Sequence, residues 1–291
     1  MFFRKILLVI YKLVSKLYVL IFGRKKLQFI NDVFLSLTLD AKGFKNYGDF
    51  NRTGEKKFIR LIKDQINLSL DIGANVGNYT KLILQETNSK VISFEPLPDA
   101  YRELEVLKKD FKDRLETFNI AISNENKKQD LYFGNRKSEK ASLMKNLEKL
   151  SFIEKTNINK ISVEVKKLDD LKDIIKNQII DFIKIDTEGY EFEVLDGAKY
   201  LLKEHQPKFI QIEFNWHQLL KGQTLYKLSS MIDFSDIFRI LPHGNGLIQI
   251  DPSRPENNIY HLSNYIFIRK DISKYYKWKK LKISLFCTHL L

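Results

Sequence analysis

The sequence predicts a doubly wound, Rossmann-like α/β domain: a mostly parallel sheet covered by helices and finished by an antiparallel C-terminal hairpin. Three observations carry this expectation. From about Glu55 onward, short apolar runs alternate with stretches of helical period, the pattern of successive βαβ units. One of those runs ends in Asp71-Ile72-Gly73-Ala74-Asn75-Val76-Gly77, an acid and two glycines between a strand and a helix. Two other runs also end in acids, at Glu95 and Asp186, and the carboxyl ends of the strands are where such a sheet binds its ligands.

The elements follow in order. Phe58, Ile59, Leu61, Ile62 and Ile66 form a helix face. Residues 67–71 read as a short strand, and helical spacing resumes at Leu82, Ile83 and Leu84. Val91–Phe94 is a second strand. Pro98 starts a helix with Tyr101, Leu104 and Leu107 inward, proline being suited to a first helical turn. Thr117–Ile122 is a third strand, and Ile161–Val165 a further one at an edge. Asp169 is placed to cap a helix over Leu171–Ile175. Ile179–Ile185 is a central strand, apolar apart from Asp181 and Lys184. Val194–Leu202 is helical and Phe209–Phe214 is a strand. Gly244 and Gly246 separate Phe238–Leu241 from Leu247–Ile250, a hairpin, and Ile259–Ile268 is a last antiparallel strand. The expected divisions are an N-terminal extension over 1–54, a main domain over 55–270 and a basic tail over 271–291.

Composition narrows the classes. The chain has 291 residues, 44% hydrophobic and 12% aromatic, ample for one packed α/β domain with additions. Its net charge of +13 attracts phosphates, anionic lipids or acidic glycans without choosing among them. No helix-turn-helix, zinc knuckle or RNA-binding signature accompanies that charge, so no nucleic-acid partner is expected. A single cysteine, Cys287, leaves no internal disulfide and no Cys-built zinc site, the usage of a cytoplasmic protein.

The first 26 residues form a segment apart. Lys5, Lys12 and Lys16 share one helical face, at spacings of seven and four, opposite Leu, Ile, Val, Phe and Tyr. Charges within it disfavour a membrane span, and no small-residue cleavage site follows. Two arrangements suit it. It lies as a basic amphipathic helix on an anionic membrane, at the inner face, or it packs on the body of the protein or across a dimer. The oligomeric state stays open.

Four motifs carry chemistry. In the run Leu70 to Thr80, Gly73 and Gly77 remove Cβ atoms that would block a ligand across the strand ends. The spacing is G-x-N-x-G, not the G-x-G-x-x-G of dinucleotide folds. The Asp71 carboxylate suits a cationic amine better than a pyrophosphate, and S-adenosylmethionine offers such an amine; a structural glycine turn is the plainer alternative. In Ser93-Phe94-Glu95-Pro96, Glu95 lies 24 residues after Asp71 at the end of the next strand, where an acid binds ribose hydroxyls; a solvated strand-end Glu is the alternative. Residues 183–191 end a strand in Asp186, Glu188 and Glu191. These acids are expected to point toward the cofactor edge or the acceptor, unless Glu191 simply stabilises a helix start. In Glu213-Phe214-Asn215-Trp216-His217, His217 could serve as a general base near neutral pH or as an ordinary hydrogen-bonded histidine. His205, His243, His261 and His289 show no spacing that suggests a metal.

These motifs occur together and in order: LDIGANVGNYT, FEP, NIAIS from Asn119 to Ser123, KKLDDL, DFIKIDTEGYEFEVLDGA and IQIEFN. In that combination, from about Glu55 to Leu220, the chain resembles the FkbM family of methyltransferases. The resemblance implies a class I methyltransferase sheet, S-adenosylmethionine as methyl donor, and O-methylation of a hydroxyl on a glycan or natural product, in the setting of polysaccharide or lipopolysaccharide biosynthesis. Asp71, Gly73, Asn75, Gly77 and Thr80, with Tyr79 beside them, are then expected at the methionine end of the cofactor. Glu95, with Pro96, would take the ribose, and Asn119 and Ala121 would lie near the adenine. Asp186, Glu188 and His217 are the catalytic candidates, one of them drawing the proton from the acceptor hydroxyl. A carboxylate pair could instead hold a divalent metal that acidifies the hydroxyl, but no complete ligand set is visible and no metal is expected. Two rival classes remain: a non-catalytic binding module on the same fold, and a nucleotide-sugar or NAD enzyme, which the glycine spacing disfavours.

Overall fold

The computed structural model describes residues 2–134, 141–144, 159–175 and 178–276. Its strands are β1 (Leu68–Ile72), β2 (Lys90–Phe94), β3 (Leu115–Phe118), β4 (Ala121–Ser123), β5 (Lys127–Phe133), β6 (Asn159–Lys167), β7 (Phe182–Ile185), β8 (Phe209–Phe214), β9 (Ser235–Ile240), β10 (Leu247–Gln249) and β11 (Ser263–Arg269). Eight of them form one sheet in the order β10-β9-β11-β8-β7-β1-β2-β3, and the other three a small sheet in the order β4-β6-β5. The pairings from β8 through β7, β1 and β2 to β3 are all parallel.

β1 is buried at all five positions, as a parallel strand covered on both faces must be. On one face the helices Glu55–Ile62 and Asn78–Glu86 lay Phe58, Ile59, Tyr79 and Ile83 over Phe182 and Phe209. On the other, the helices Glu191–Asp196, Lys199–His205 and Leu225–Met231 press Val194, Leu195, Leu202 and Leu228 onto Ile183, Ile185, Ile210 and Ile212. Strand order runs outward from β1 through β2 to β3, then restarts on the other side of β1 at β7. That reversal opens a crevice at the carboxyl ends of β1 and β7.

The C-terminal hairpin forms as expected between β9 and β10, and β11 is antiparallel, slotted between β8 and β9. Several details differ from the sequence reading; among them, the helix expected over Val194–Leu202 is two, Glu191–Asp196 and Lys199–His205. The run Thr117–Ile122 is broken between two sheets, because Asn119 turns its side chain back to donate to the carbonyls of Glu95 and Pro96, at 2.8 and 3.0 Å. β6 is no edge strand; it is the centre of the small sheet, paired on both sides. Its partner β5 was not visible in Lys127-Lys128-Gln129-Asp130, whose polar side chains give no apolar alternation. Asp169 caps a different helix: its carboxylate accepts the amides of Tyr200 and Leu201, at 2.9 and 2.8 Å, at the start of Lys199–His205.

The expected boundary at residue 54 is not a break. Phe44 is fully buried, the Arg239 guanidinium lies 3.9 Å from its ring centre, and Arg239 Nε donates to the Lys42 carbonyl at 2.6 Å. At the other end, Gln65 Nε2 donates to the Tyr276 hydroxyl at 2.7 Å, so the body extends past residue 270. The tail from 277, with Cys287 and His289, and the side chain of Lys5 lie outside the described residues. The N-terminal helix spans Phe2–Phe22. It packs on a second helix, Gln28–Ala41, through Tyr18 to Asn31 at 2.7 Å and Asn31 to the Phe22 carbonyl at 3.0 Å.

Candidate active site

A cleft of about 550 Å³, counting its open mouth, lies at the carboxyl ends of β1, β2 and β7. Gly73, Asn75, Glu95, Pro96 and Ala121 line it from one side, and Asp186, Thr187, Glu188 and Tyr190 from the other. Phe94, Ile122, Leu131 and Leu143 give it an apolar wall, with Leu131 and Leu143 contributed by the β5 side of the small sheet.

Gly73 is required for a reason different from the one expected. Its φ is +85°, and a Cβ there would sit 1.8 Å from the Asp186 carbonyl oxygen. The missing side chain lets the backbone leaving β7 cross close to the end of β1. Gly77, at φ +87°, faces Leu104 and Leu107, whose Cδ1 atoms would lie 2.8 and 2.7 Å from a Cβ. It makes room for a neighbouring helix.

Glu95 is 6% exposed and accepts the amides of Asn75 and Leu97, at 2.8 and 2.7 Å. Burial pushes its carboxyl up to about 7, although those two amides pull it down. Asn75 holds a left-handed φ of +48°, and its Oδ1 has no hydrogen-bond partner. Asn119 straps the Glu95–Pro96 backbone from outside the cleft.

Asp71 is completely buried and does not reach the cleft wall. Thr80 donates to its Oδ2 at 2.6 Å, its Oδ1 is unpartnered, and burial raises its carboxyl. The direct amine contact expected of it is not open to a side chain with no exposed surface; it supports the turn from below. Tyr79 and Thr80 are likewise buried off the wall, Tyr79 donating to Gln211 at 2.6 Å.

Beneath this floor lies a group of buried charges. Lys184 is 4% exposed, with Nζ 2.7 Å from Asp186 Oδ2. Burial by itself would depress the ammonium, but the carboxylates of Asp186, Asp71 and Glu55 outweigh it and hold Lys184 above its ordinary range. Glu55 accepts from Thr53 at 2.7 Å and from Gln211 at 2.6 Å.

The loop after β7 separates its acids by role. Glu191, expected near the acceptor, is 2% exposed. It clamps the loop instead, accepting the Thr187 and Gly189 amides at 3.0 and 3.1 Å. Glu188 holds a left-handed φ of +52° and stays on the cleft wall. Glu213, at the end of β8, joins it: Asp186, Glu188 and Glu213 each offer a carboxylate oxygen, all within 4.8 Å of one another, a group able to hold a proton or a cation. Burial, with the neighbouring carboxylates, pushes both Glu188 and Glu213 well above the usual carboxylate range.

His217 is 2% exposed, and burial drives its pKa down to about 3. Burial thus disfavours the protonated ring. Asn215 Nδ2 donates to Glu213 at 2.8 Å, so its Oδ1 faces His217 Nδ1 at 2.6 Å, and that nitrogen carries the proton. The same Nδ1 lies 3.4 Å from Glu188 Oε2. Imidazole and amide together brace both carboxylates.

Glu213 and Tyr190 were the residues missed. The only signal for Glu213 was its place one residue before the end of an apolar strand, a position that also suits a solvated carboxylate. Tyr190 reaches the small sheet, accepting from Gln129 at 2.9 Å, which no local pattern announces.

A sequence family described as the Methyltransferase FkbM domain matches residues 71–245. Among curated proteins, none matches. Among solved structures, the chain is similar to Methyltransferase FkbM from Methylobacillus flagellatus KT, at 14% identity and a TM-score of 0.43, covering 82% of this chain and 60% of that one. It is also similar to a precorrin-6y C5,15-methyltransferase from Geobacter metallireducens GS-15, at 10% identity and TM-score 0.39, over 74% of this chain and 87% of that one. An rRNA methylase from Streptococcus thermophilus aligns at 10% identity and TM-score 0.41, over 74% and 93%. The chain thus spans less than two thirds of the Methylobacillus protein.

Proposed function

The chain belongs to the FkbM methyltransferase family, and on that premise we propose that it is an S-adenosylmethionine-dependent O-methyltransferase acting on a hydroxyl of a glycan or related metabolite. One observation carries the reading: a cleft lined by apolar side chains and Glu95 also holds Asp186 and Glu188, and Glu213 offers a third carboxylate oxygen within 4.8 Å of theirs.

The residues present suit the donor. Phe94, Ile122, Leu131 and Leu143 offer apolar surface to an adenine. Glu95 has oxygen lone pairs left for ribose hydroxyls, and Asn75 Oδ1 is an unpaired acceptor for an amine. When bound, S-adenosylmethionine supplies an electrophilic methyl on a sulfonium.

The chain's own task is to position the acceptor and take its proton. Carboxylates as close as Glu188 and Glu213 do not both ionise readily, so the pair titrates as a unit. The ionised member is a stronger base than an ordinary surface carboxylate. Asn215 and His217 hold it in place, while Asp186 is engaged by Lys184.

The test is turnover of Glu188→Gln and Glu213→Gln with a glycan acceptor, beside their affinity for S-adenosylhomocysteine. At least one variant is expected to lose about 10²–10⁴-fold in rate with affinity little changed. Wild-type turnover in both would remove these acids from the chemistry. Titration with S-adenosylhomocysteine, NAD and a nucleotide sugar separates the proposal from an NAD or nucleotide-sugar enzyme, and turnover of the wild type separates it from a non-catalytic binding module.

A further inference from the structure

We infer that the N-terminal helical hairpin seats the protein on an anionic lipid surface, lying in the interface without crossing it. In Phe2–Phe22, Ile6, Ile10, Leu13, Leu17 and Leu20 recur every three or four residues, so they form one stripe. All are exposed, Leu13 by 62% and Leu20 by 69%. The helix turns a different face, with Tyr18, toward its partner helix. That partner adds a second stripe: Phe29, Val33 and Leu37, four residues apart, are 64%, 54% and 59% exposed. Water-soluble surfaces rarely leave stripes of large apolar side chains uncovered.

Charge decides the occupant. Lys12 and Lys16 are exposed on the first helix, and Arg24, Lys25 and Lys26 cluster, exposed, where the two helices join. Between residues 2 and 41 the only acids are Asp32 and Asp40. A second copy of this chain would bring cations to cations, with no acidic stripe to receive them. An anionic bilayer accepts both features at once: apolar side chains enter the acyl boundary while the Lys and Arg groups meet the headgroups. Among the described residues no helix is long and apolar enough to cross a membrane, so the hairpin lies on the surface. Its base is fixed to the body by Arg239, which holds the Lys42 carbonyl.

The test is flotation of the full chain with vesicles of phosphatidylcholine alone and of phosphatidylcholine mixed with phosphatidylglycerol. The protein is expected to float with the mixed vesicles only, and less as salt rises. The Leu13→Asp, Leu17→Asp double variant is expected to stay in solution with an unchanged thermal midpoint. Reversing Lys12 and Lys16 to Glu is expected to weaken binding at least about tenfold, each cation near such a surface being worth roughly fivefold. A folded full chain that ignores phosphatidylglycerol vesicles overturns the proposal. So does a discrete dimer, without flotation, that Leu13→Asp disperses; the stripe would then belong to a second copy.

Discussion

Beneath the cleft, Lys184, Asp71 and Glu55 are 4%, 0% and 5% exposed, whereas along the first helix Leu13, Leu17 and Leu20 are 62%, 58% and 69% exposed. Charges are inside and aliphatic side chains outside, the reverse of the usual partition. At the cleft the inversion is answered within the chain. Lys184 meets Asp186 and faces two further carboxylates, Thr80 donates to Asp71, and Gln211 joins Glu55 to Tyr79. On the hairpin nothing in the described chain covers the stripe. Substitutions at the two places therefore differ in kind: the first break a buried hydrogen-bonded network, the second change only what the surface can meet.

The largest effect is expected at Gly73. Valine there meets the Asp186 carbonyl, backbone that cannot swing away, and demands a left-handed φ of a branched side chain. Gly73→Val is expected to lose more than about 4 kcal/mol, the range of strained or overpacked positions, read by urea unfolding. A variant with the wild-type midpoint would mean that β1 and β7 do not approach as described.

Next comes Lys184→Met. It fits the volume but leaves the carboxylates around Asp186 without their buried cation, a loss of about 3–5 kcal/mol for breaking one side of such a pair. Thermal unfolding near neutral pH measures it. A smaller loss at low pH, where the Asp71 and Glu55 carboxyls, raised by burial, take up protons, would tie the effect to charge and not to packing.

Glu95 tests the same network by titration. Its carboxyl lies at about 7 in the folded protein against an ordinary 4.5, so the folded state favours the proton. That contribution to stability is fully present below about 4.5 and is lost as the pH rises through about 7. Over this window wild type is expected to lose up to about 3 kcal/mol relative to Glu95→Gln, at ~1.4 kcal/mol per pH unit. Parallel stability–pH curves for the two proteins would show that Glu95 is not held protonated.

The smallest effect belongs to the hairpin. Leu13→Asp is expected to change unfolding free energy by no more than about 0.5 kcal/mol, as for an exposed position without network partners. A drop of several kcal/mol would show that the stripe is covered within the chain and would erase the contrast between the two regions.

The parallel sheet was legible because β1, β2, β7 and β8 are buried on both faces and so write short runs rich in Leu, Ile, Val and Phe into the sequence. Gly73, Asn75, Glu95, Asp186 and Glu188 were legible because each stands where such a run stops. The amphipathic first helix was legible from spacing alone. The small sheet was not, since the described part of β5 is polar along half its length and gains order by pairing with β6. Nor were the roles within the acid-rich loop. Asp186, Glu188 and Glu191 look alike in sequence, yet Lys184 engages the first, the cleft receives the second and two backbone amides close on the third. Sequence by itself determined which residues gather at the carboxyl edge of the sheet, because that follows from local period and chain order. Only the tertiary structure decided which of them are ionised, clamped or open, because burial and charge at one atom depend on neighbours such as Glu213 and His217 that lie far along the chain.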